Sequence, residues 1–190
     1  MSGTIRSFFA FDIEDQTILR RLTKVKGMLA NTGAGLKMVK PENIHLTIRF
    51  LGDIQAGMVD AIYEEMKQLS FGPFDVELKG LGAFPRLSHP RVVWAGITKG
   101  AKELTNVFEQ LEPRLRGLGF KPDNKGFSPH LTIARVRTGR NKALLIKKVQ
   151  ELENYDFGTV KVECLRLKKS DLTPRGPIYS VLREVCGKEN

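Results

Sequence analysis

Two of the three histidines in this 190-residue chain open the same four letters. His45-Leu46-Thr47-Ile48 and His130-Leu131-Thr132-Ile133 are identical tetrapeptides. On a strand, successive side chains point to opposite faces. His45 then shares a face with Thr47, and His130 with Thr132, while the leucines and isoleucines face a core. If the two strands face each other, two imidazoles and two hydroxyls meet in one cleft. Imidazole titrates near about 6.5, so one copy can be neutral and the other protonated at neutral pH. A base and an acid on opposite sides of a phosphorus atom is what in-line phosphodiester cleavage requires. The threonine hydroxyls can donate to the non-bridging oxygens. The set calls for no metal and no cofactor, and it lacks the carboxylate and close second ligand of common metal sites.

A single HLTI would read as an ordinary strand with one buried histidine. Core filling does not explain a matched pair. The third histidine, His89 in RLSHPR, has no such partner and reads as an exposed loop residue.

The elements that must position the pair follow from hydrophobic periodicity. Residues 4–12 read as a strand rich in aromatic and β-branched side chains. Ile18, Leu22, Val25 and Leu29 recur at helical spacing before the stop signal NTGAG. Residues 43–51 are a second strand, and Met58, Ile62 and Met66 mark a second helix. Strands are expected over 74–79 and 91–97, joined by the loop GLGAFPRLSHP. Leu104, Val107, Phe108, Leu111 and Leu115 mark a third helix, and Leu145, Val149 and Leu152 a short fourth. HLTIARV is a strand, and 157–167 and 178–185 close the chain as two more.

The halves echo each other beyond the tetrapeptide. Lys40-Pro41-Glu42-Asn43 precedes the first motif and Lys121-Pro122-Asp123-Asn124 the second. Phe74 lies 29 positions past His45, and Phe157 lies 27 past His130. This order suggests a duplication, with two similar lobes facing across a pseudo-two-fold axis. Without clean βαβ alternation, the class is α+β. Residues 1–190 are expected to form one bilobal domain.

Composition narrows the partners. Lys and Arg number 31 against 21 Asp and Glu, a net charge of +10. Such a surface attracts polyanions. The cations are scattered rather than gathered in a tail, which favours a folded basic face. No run of about eighteen apolar residues marks a membrane span. The opening MSGTIRSFFAFDIED reaches acidic residues too early for a signal peptide. Cys164 and Cys186 offer no disulfide framework and no metal-ligand spacing, so reduced thiols and a cytoplasmic location are expected.

The paired motifs resemble those of the 2H phosphoesterases, whose hallmark is two His-x-Thr-x motifs in a duplicated bilobal fold. The stretches FFAFDI, HLTIRFLGDI, RVVWAGI, SPHLTIARV and LKKSDLTPRGPIYSVL resemble the branch of RNA 2′,3′-cyclic phosphodiesterases, also described as 2′-5′ RNA ligases. The resemblance implies two antiparallel sheets lining a central cleft with helices outside. It implies metal-independent opening of RNA 2′,3′-cyclic phosphates to 2′-phosphomonoesters, with His45 as proton donor and His130 as proton acceptor. Thr47 and Thr132 carry over as phosphate ligands.

The family often has a basic residue where Arg135 lies, beside the phosphate. Strict alternation instead puts Arg49 on the His45 face and Arg135 on the face away from His130, unless a bulge or the strand end turns Arg135 inward. Arg91 and Arg175 read as surface charge or RNA-backbone contacts.

The expected partner is RNA ending in a 2′,3′-cyclic phosphate, such as a tRNA half, or a small cyclic nucleotide such as an ADP-ribose cyclic phosphate, bound by a monomer with no membrane contact. Two alternatives remain: 2′-5′ ligation by the same four residues, and a binding module without turnover. A pure binder would more naturally use Arg or Lys than two mostly neutral imidazoles.

Overall fold

In the computed structural model, which describes residues 3–189, both HLTI phrases open strands, and each strand ends its sheet or lies next to the end. The elements run β1 (Thr4–Asp12), α1 (Gln16–Ala30), β2 (Leu36–Met38), β3 (His45–Gln55), α2 (Val59–Met66), β4 (Phe74–Arg86) and β5 (His89–Ile97). They continue with α3 (Ala101–Gly117), β6 (His130–Val136), α4 (Lys142–Glu151), β7 (Asp156–Val162), β8 (Cys164–Thr173) and β9 (Gly176–Cys186).

The strands form a four-stranded sheet ordered β3-β1-β8-β9 and a five-stranded sheet ordered β2-β6-β5-β4-β7. Every pairing is antiparallel. Counted outward from the motif strands, β3-β1-β8-β9 matches β6-β5-β4-β7, with β2 added at one edge. This is the expected duplicated α+β architecture.

Helix periodicity resolves into packing as read from the sequence. In α1, Ile18, Leu22, Val25 and Leu29 are buried, and the Asp15 side chain caps the helix by accepting from the Ile18 N–H at 2.9 Å. Helices α1 and α4 pack on the five-stranded sheet, and α2 and α3 on the four-stranded one. Leu46, Ile48, Leu131 and Ile133 all enter the core. The lobes are interlaced: β1 lies in one sheet while α1, which follows it, packs on the other. Among the described residues, no helix is long and apolar enough to cross a membrane.

Several expectations need correction. The loop expected over 80–90 is mostly strand: β4 continues to Arg86 and β5 begins at His89, leaving only Leu87 and Ser88 between them. Its glycines read as punctuation but serve the sheet. Gly80 has φ +76° where the β4–β5 register shifts, and Gly82 lies under the Trp94 ring, where a Cβ would come within 2.2 Å of the indole. His89 is exposed, as expected, but as the first residue of β5. The segment 157–167 is two strands broken at Glu163, β7 in one sheet and β8 in the other. The short edge strand β2 carries no signal strong enough to predict it.

The cysteines are also not free. Cys164 and Cys186 are directly paired across the β8–β9 ladder and form a disulfide. Their 22-residue separation hides a hairpin register that sets them opposite each other. A bridge closing a loop of this length stabilises by about 2–4 kcal/mol. Urea unfolding without reductant should therefore show Cys186→Ser destabilised by about that amount, with the gap closing when reductant is added. Equal stability without reductant would mean the bridge constrains nothing.

Candidate active site

The first feature of the site is a one-residue slip in each motif strand. Along β3, Thr47 lies opposite Ala10 and Arg49 opposite Phe9, so Ile48 is an extra residue. Along β6, Thr132 lies opposite Trp94 and Ala134 opposite Val93, so Ile133 is extra. A bulge of this kind reverses the inside–outside alternation beyond it. Ile133 and Ala134 are accordingly both buried in succession.

The bulges settle the conflict between the two arginines. Arg49 turns away from the cleft, pairs through Nε with the Glu112 carboxylate on α3, and donates from Nη2 to the Lys121 carbonyl at 2.7 Å. Arg135 turns into the cleft. Alternation alone assigned both the wrong way. The cleft position five residues after each histidine is thus Phe50 in one lobe and Arg135 in the other.

The imidazoles are held alike. Each Nδ1–H donates to the carbonyl two residues earlier, His45 to Asn43 at 2.7 Å and His130 to Ser128 at 2.7 Å. This anchoring leaves Nε2 as the nitrogen without a proton in both neutral rings. The Thr47 hydroxyl donates to His45 Nε2 at 2.8 Å. Asn43 is itself fixed, its side-chain amide donating to the Pro177 carbonyl at 3.0 Å. Aromatic rings wall both histidines. Phe8 lies 5.0 Å and Tyr179 5.4 Å from the His45 ring, and Phe84 lies 4.8 Å from His130.

Burial among these rings pushes His45 down to about 4; the Asn43 carbonyl opposes this, Lys168 adds to it, Asp12 opposes it, and Arg135 adds to it. Burial also lowers His130, against the Ser128 carbonyl and with help from Arg135. Both rings are therefore neutral in the free site at pH 7, whereas the unperturbed value had suggested one charged and one neutral. An anion between them acts in the opposite direction, favouring the imidazolium.

His45, Thr47, His130, Thr132 and Arg135 all line one cleft of about 990 Å³ between the sheets. Its wall also carries Arg6, Lys37, Lys40, Lys125, Arg137 and Arg175, making seven cations with Arg135, and among the described residues no Asp or Glu. A second hollow of about 370 Å³ contains Asp12, Glu14, Asp15 and Glu163 and none of the motif residues. Arg175, read as surface or backbone-contact charge, is at the cleft; Arg91 is exposed outside it.

Among the described residues, the one group of metal-capable side chains drawn together is Cys164, Glu184 and Cys186. Those cysteines are joined to each other, and none of the three lines the cleft. Sequence reasoning passed over Phe8, Phe50, Phe84, Tyr179, Asn43 and Lys37. Asn43 lies inside the echoed KPEN/KPDN phrase, and Phe8, Phe50 and Tyr179 lie inside stretches that carried the resemblance; Phe84 and Lys37 carried no signal.

A family model described as LigT like phosphoesterase matches the chain twice, over residues 13–94 and 96–179. A curated relative from Aeropyrum pernix, an RNA 2′,3′-cyclic phosphodiesterase, is 42% identical over 165 residues, covering 87% of this chain and 94% of the relative. Another of the same name from Archaeoglobus fulgidus is 39% identical over 181 residues, covering 94% and 98%. Among solved structures, E. coli LigT complexed with 3′-AMP matches with a TM-score of 0.78 at 22% identity, over 99% of this chain and 100% of that one. A protein from Thermus thermophilus matches with a TM-score of 0.77 at 27% identity, over 97% and 100%.

Burial of a neutral His45 has a consequence for stability. The unfolded chain protonates this residue below about 6.5, but the folded chain resists until about 4. Its stabilising contribution is full above pH 6.5 and is lost as the pH falls to 4, a difference of about 3 kcal/mol. Urea titrations across this window should show His45→Gln less sensitive to acid than the parent by roughly that amount. A parallel loss in both proteins would contradict the burial.

Proposed function

Because the chain belongs to the LigT-like phosphoesterase family, we propose that it opens RNA 2′,3′-cyclic phosphates to 2′-phosphomonoesters. The observation that carries this reading is the pair of anchored imidazoles, Nε2 outward, in a cleft with seven cations and no carboxylate among the described residues. Its curated relatives bear the name of that activity.

The reaction follows from the placement of protons. The cyclic phosphate enters between the rings, and its negative charge favours a proton on a ring that is neutral in the free site. His130 Nε2 accepts a proton from water as the water oxygen bonds to phosphorus. The bond from phosphorus to the 3′ oxygen breaks, and His45 Nε2–H delivers its proton to that oxygen. The phosphate stays on the 2′ oxygen, and the two rings exchange protons with solvent before the next cycle.

The environments favour this division of roles. The more buried His45 makes the stronger acid, and the less buried His130 keeps more basicity. Thr47, Thr132 and Arg135 hold the non-bridging oxygens, with Arg135 supplying charge where it develops in the transition state. Phe50, 58% exposed in the cleft with Phe8 behind it at 5.9 Å, offers a flat face for the terminal base.

Turnover of an oligoribonucleotide ending in a 2′,3′-cyclic phosphate should persist in EDTA and leave the phosphate on the 2′ oxygen. His45→Ala or His130→Ala should each lower kcat by about 10²–10⁴. Arg135→Ala should cost about 10² in kcat. Phe50→Ala should act mainly on KM, by about 1–3 kcal/mol. Full activity in either histidine variant, or a strict need for added metal, would refute the mechanism.

The pH dependence has a sign. The productive free form has His45 protonated and His130 neutral, and both groups titrate below the ordinary range. The bell for kcat/KM should therefore centre below pH 6.5. The bell for kcat should lie at higher pH, because bound phosphate raises both groups. A rate flat from pH 5 to 9 would count against the acid–base pair.

A further inference from the structure

One phosphate between two histidines is satisfied by Thr47, Thr132 and Arg135, yet the cationic wall continues beyond them. Past the β6 bulge, Arg135 and Arg137 share the cleft face and extend the row begun by His130 and Thr132. Arg137 is held in line by its backbone N–H, which donates to the Gly35 carbonyl at 2.7 Å and prolongs the β2–β6 ladder. Two residues of a strand span roughly 6.6 Å, about one repeat of an extended polynucleotide backbone. Lys37 stands directly opposite Arg135 on β2. Its Nζ reaches the β8–β9 turn, where a Cβ on Gly176 would lie 3.7 Å away, and Arg175 is next to that glycine.

These cations are uncompensated. Arg49, Arg114, Arg166 and Arg183 each pair with a carboxylate. Among the described residues, no carboxylate lies within ion-pair distance of Lys37, Arg137 or Arg175. Lys37 and Arg137 are exposed to the cleft solvent. Unpaired like charges lining one wall repel each other and are stabilised by an anion with more than one charge. A free nucleoside cyclic phosphate brings one phosphate, which sits between the histidines, and leaves this wall with nothing to bind.

Resting on the active-site reading above, we propose that Arg137, Lys37 and Arg175 hold the backbone phosphates on the 5′ side of the terminal nucleotide. The cleft then takes the end of a polynucleotide strand in preference to a free cyclic nucleotide. The contacts are to phosphate and carry no base preference. They weaken with salt as released counterions become less favourable, with a slope of about 0.7 per phosphate contact on a single strand.

Three substrates separate the alternatives: adenosine 2′,3′-cyclic phosphate, the same nucleotide with a 5′-phosphate, and a tetraribonucleotide ending in the same cyclic adenosine. The parent protein should prefer the tetranucleotide by tenfold or more in kcat/KM, with most of the gain in KM, and the 5′-phosphorylated nucleotide should fall between. In Arg137→Gln/Lys37→Gln the ratio of tetranucleotide to nucleoside kcat/KM should fall at least fivefold. The salt slope for the tetranucleotide should drop by about 0.7 per lost contact. Far-ultraviolet circular dichroism checks that the variant is folded, and the parent's salt slopes on the three substrates give a measure independent of any variant. Equal kcat/KM and equal salt slopes for all three substrates in the parent would overturn this inference while leaving the hydrolytic reading intact. So would a ratio that the variant does not change. Failure to open any of the three would overturn the activity itself and this inference with it.

Discussion

The site depends on one residue too many in each motif strand. Were the isoleucine paired in a regular ladder and not bulged, strict alternation would carry Arg49 into the cleft and send Arg135 to the helix side. With the bulge, each strand presents histidine and threonine to the cleft and then, one position late, a residue of a different kind. Because the slip occurs in both copies, the duplicated backbone stays symmetric while the chemistry does not. An aromatic face stands in one lobe and a guanidinium in the other. A substrate with a base at one end and a charge at the other fits such a frame in one orientation.

Around that frame, the protein walls the rings with aromatic side chains and balances the charges behind them. The ladder sets Asp12 opposite His45, and Asp12 accepts from Lys168 at 2.6 Å and Arg166 at 2.7 Å. Lys168 is buried and lies 5.7 Å from the Tyr179 ring. A buried lysine beside the His45 imidazole would be costly alone; its carboxylate partner both compensates it and moderates its effect on the ring. Among the described residues the cleft cations have no such partners, and the contrast separates charges that are internal structure from charges open to an anion.

Much of this was legible in the chain. The helices of the described fold fall where apolar residues recur at helical spacing, and HLTIARV is a strand over the predicted residues. The four motif residues meet in one cleft because a period of two is robust over a tetrapeptide. What was hidden is non-local. A bulge is defined by the partner strand, so no window around Ile48 or Ile133 reveals it. The turn-side half of the β4–β5 hairpin, residues 80–90, looked like a loop because glycines that make room for a bulge and an indole are the same letters that make turns. The Cys164–Cys186 bridge depends on a register, and the aromatic walls come from strands remote in sequence.

The interlacing of the sheets bears on how the protein is made. Chain synthesis runs from the N-terminus, and β1 gains its second neighbour only when β8 has been made. Tyr179, part of the wall over His45, lies on the strand after that. Until those residues emerge, the first histidine stands on a two-stranded ribbon with water on its open side, while the other sheet already has every strand it needs. The two half-sites, equal in sequence, therefore mature at different times, and the cleft gains its full wall only once β8 and β9 have been made.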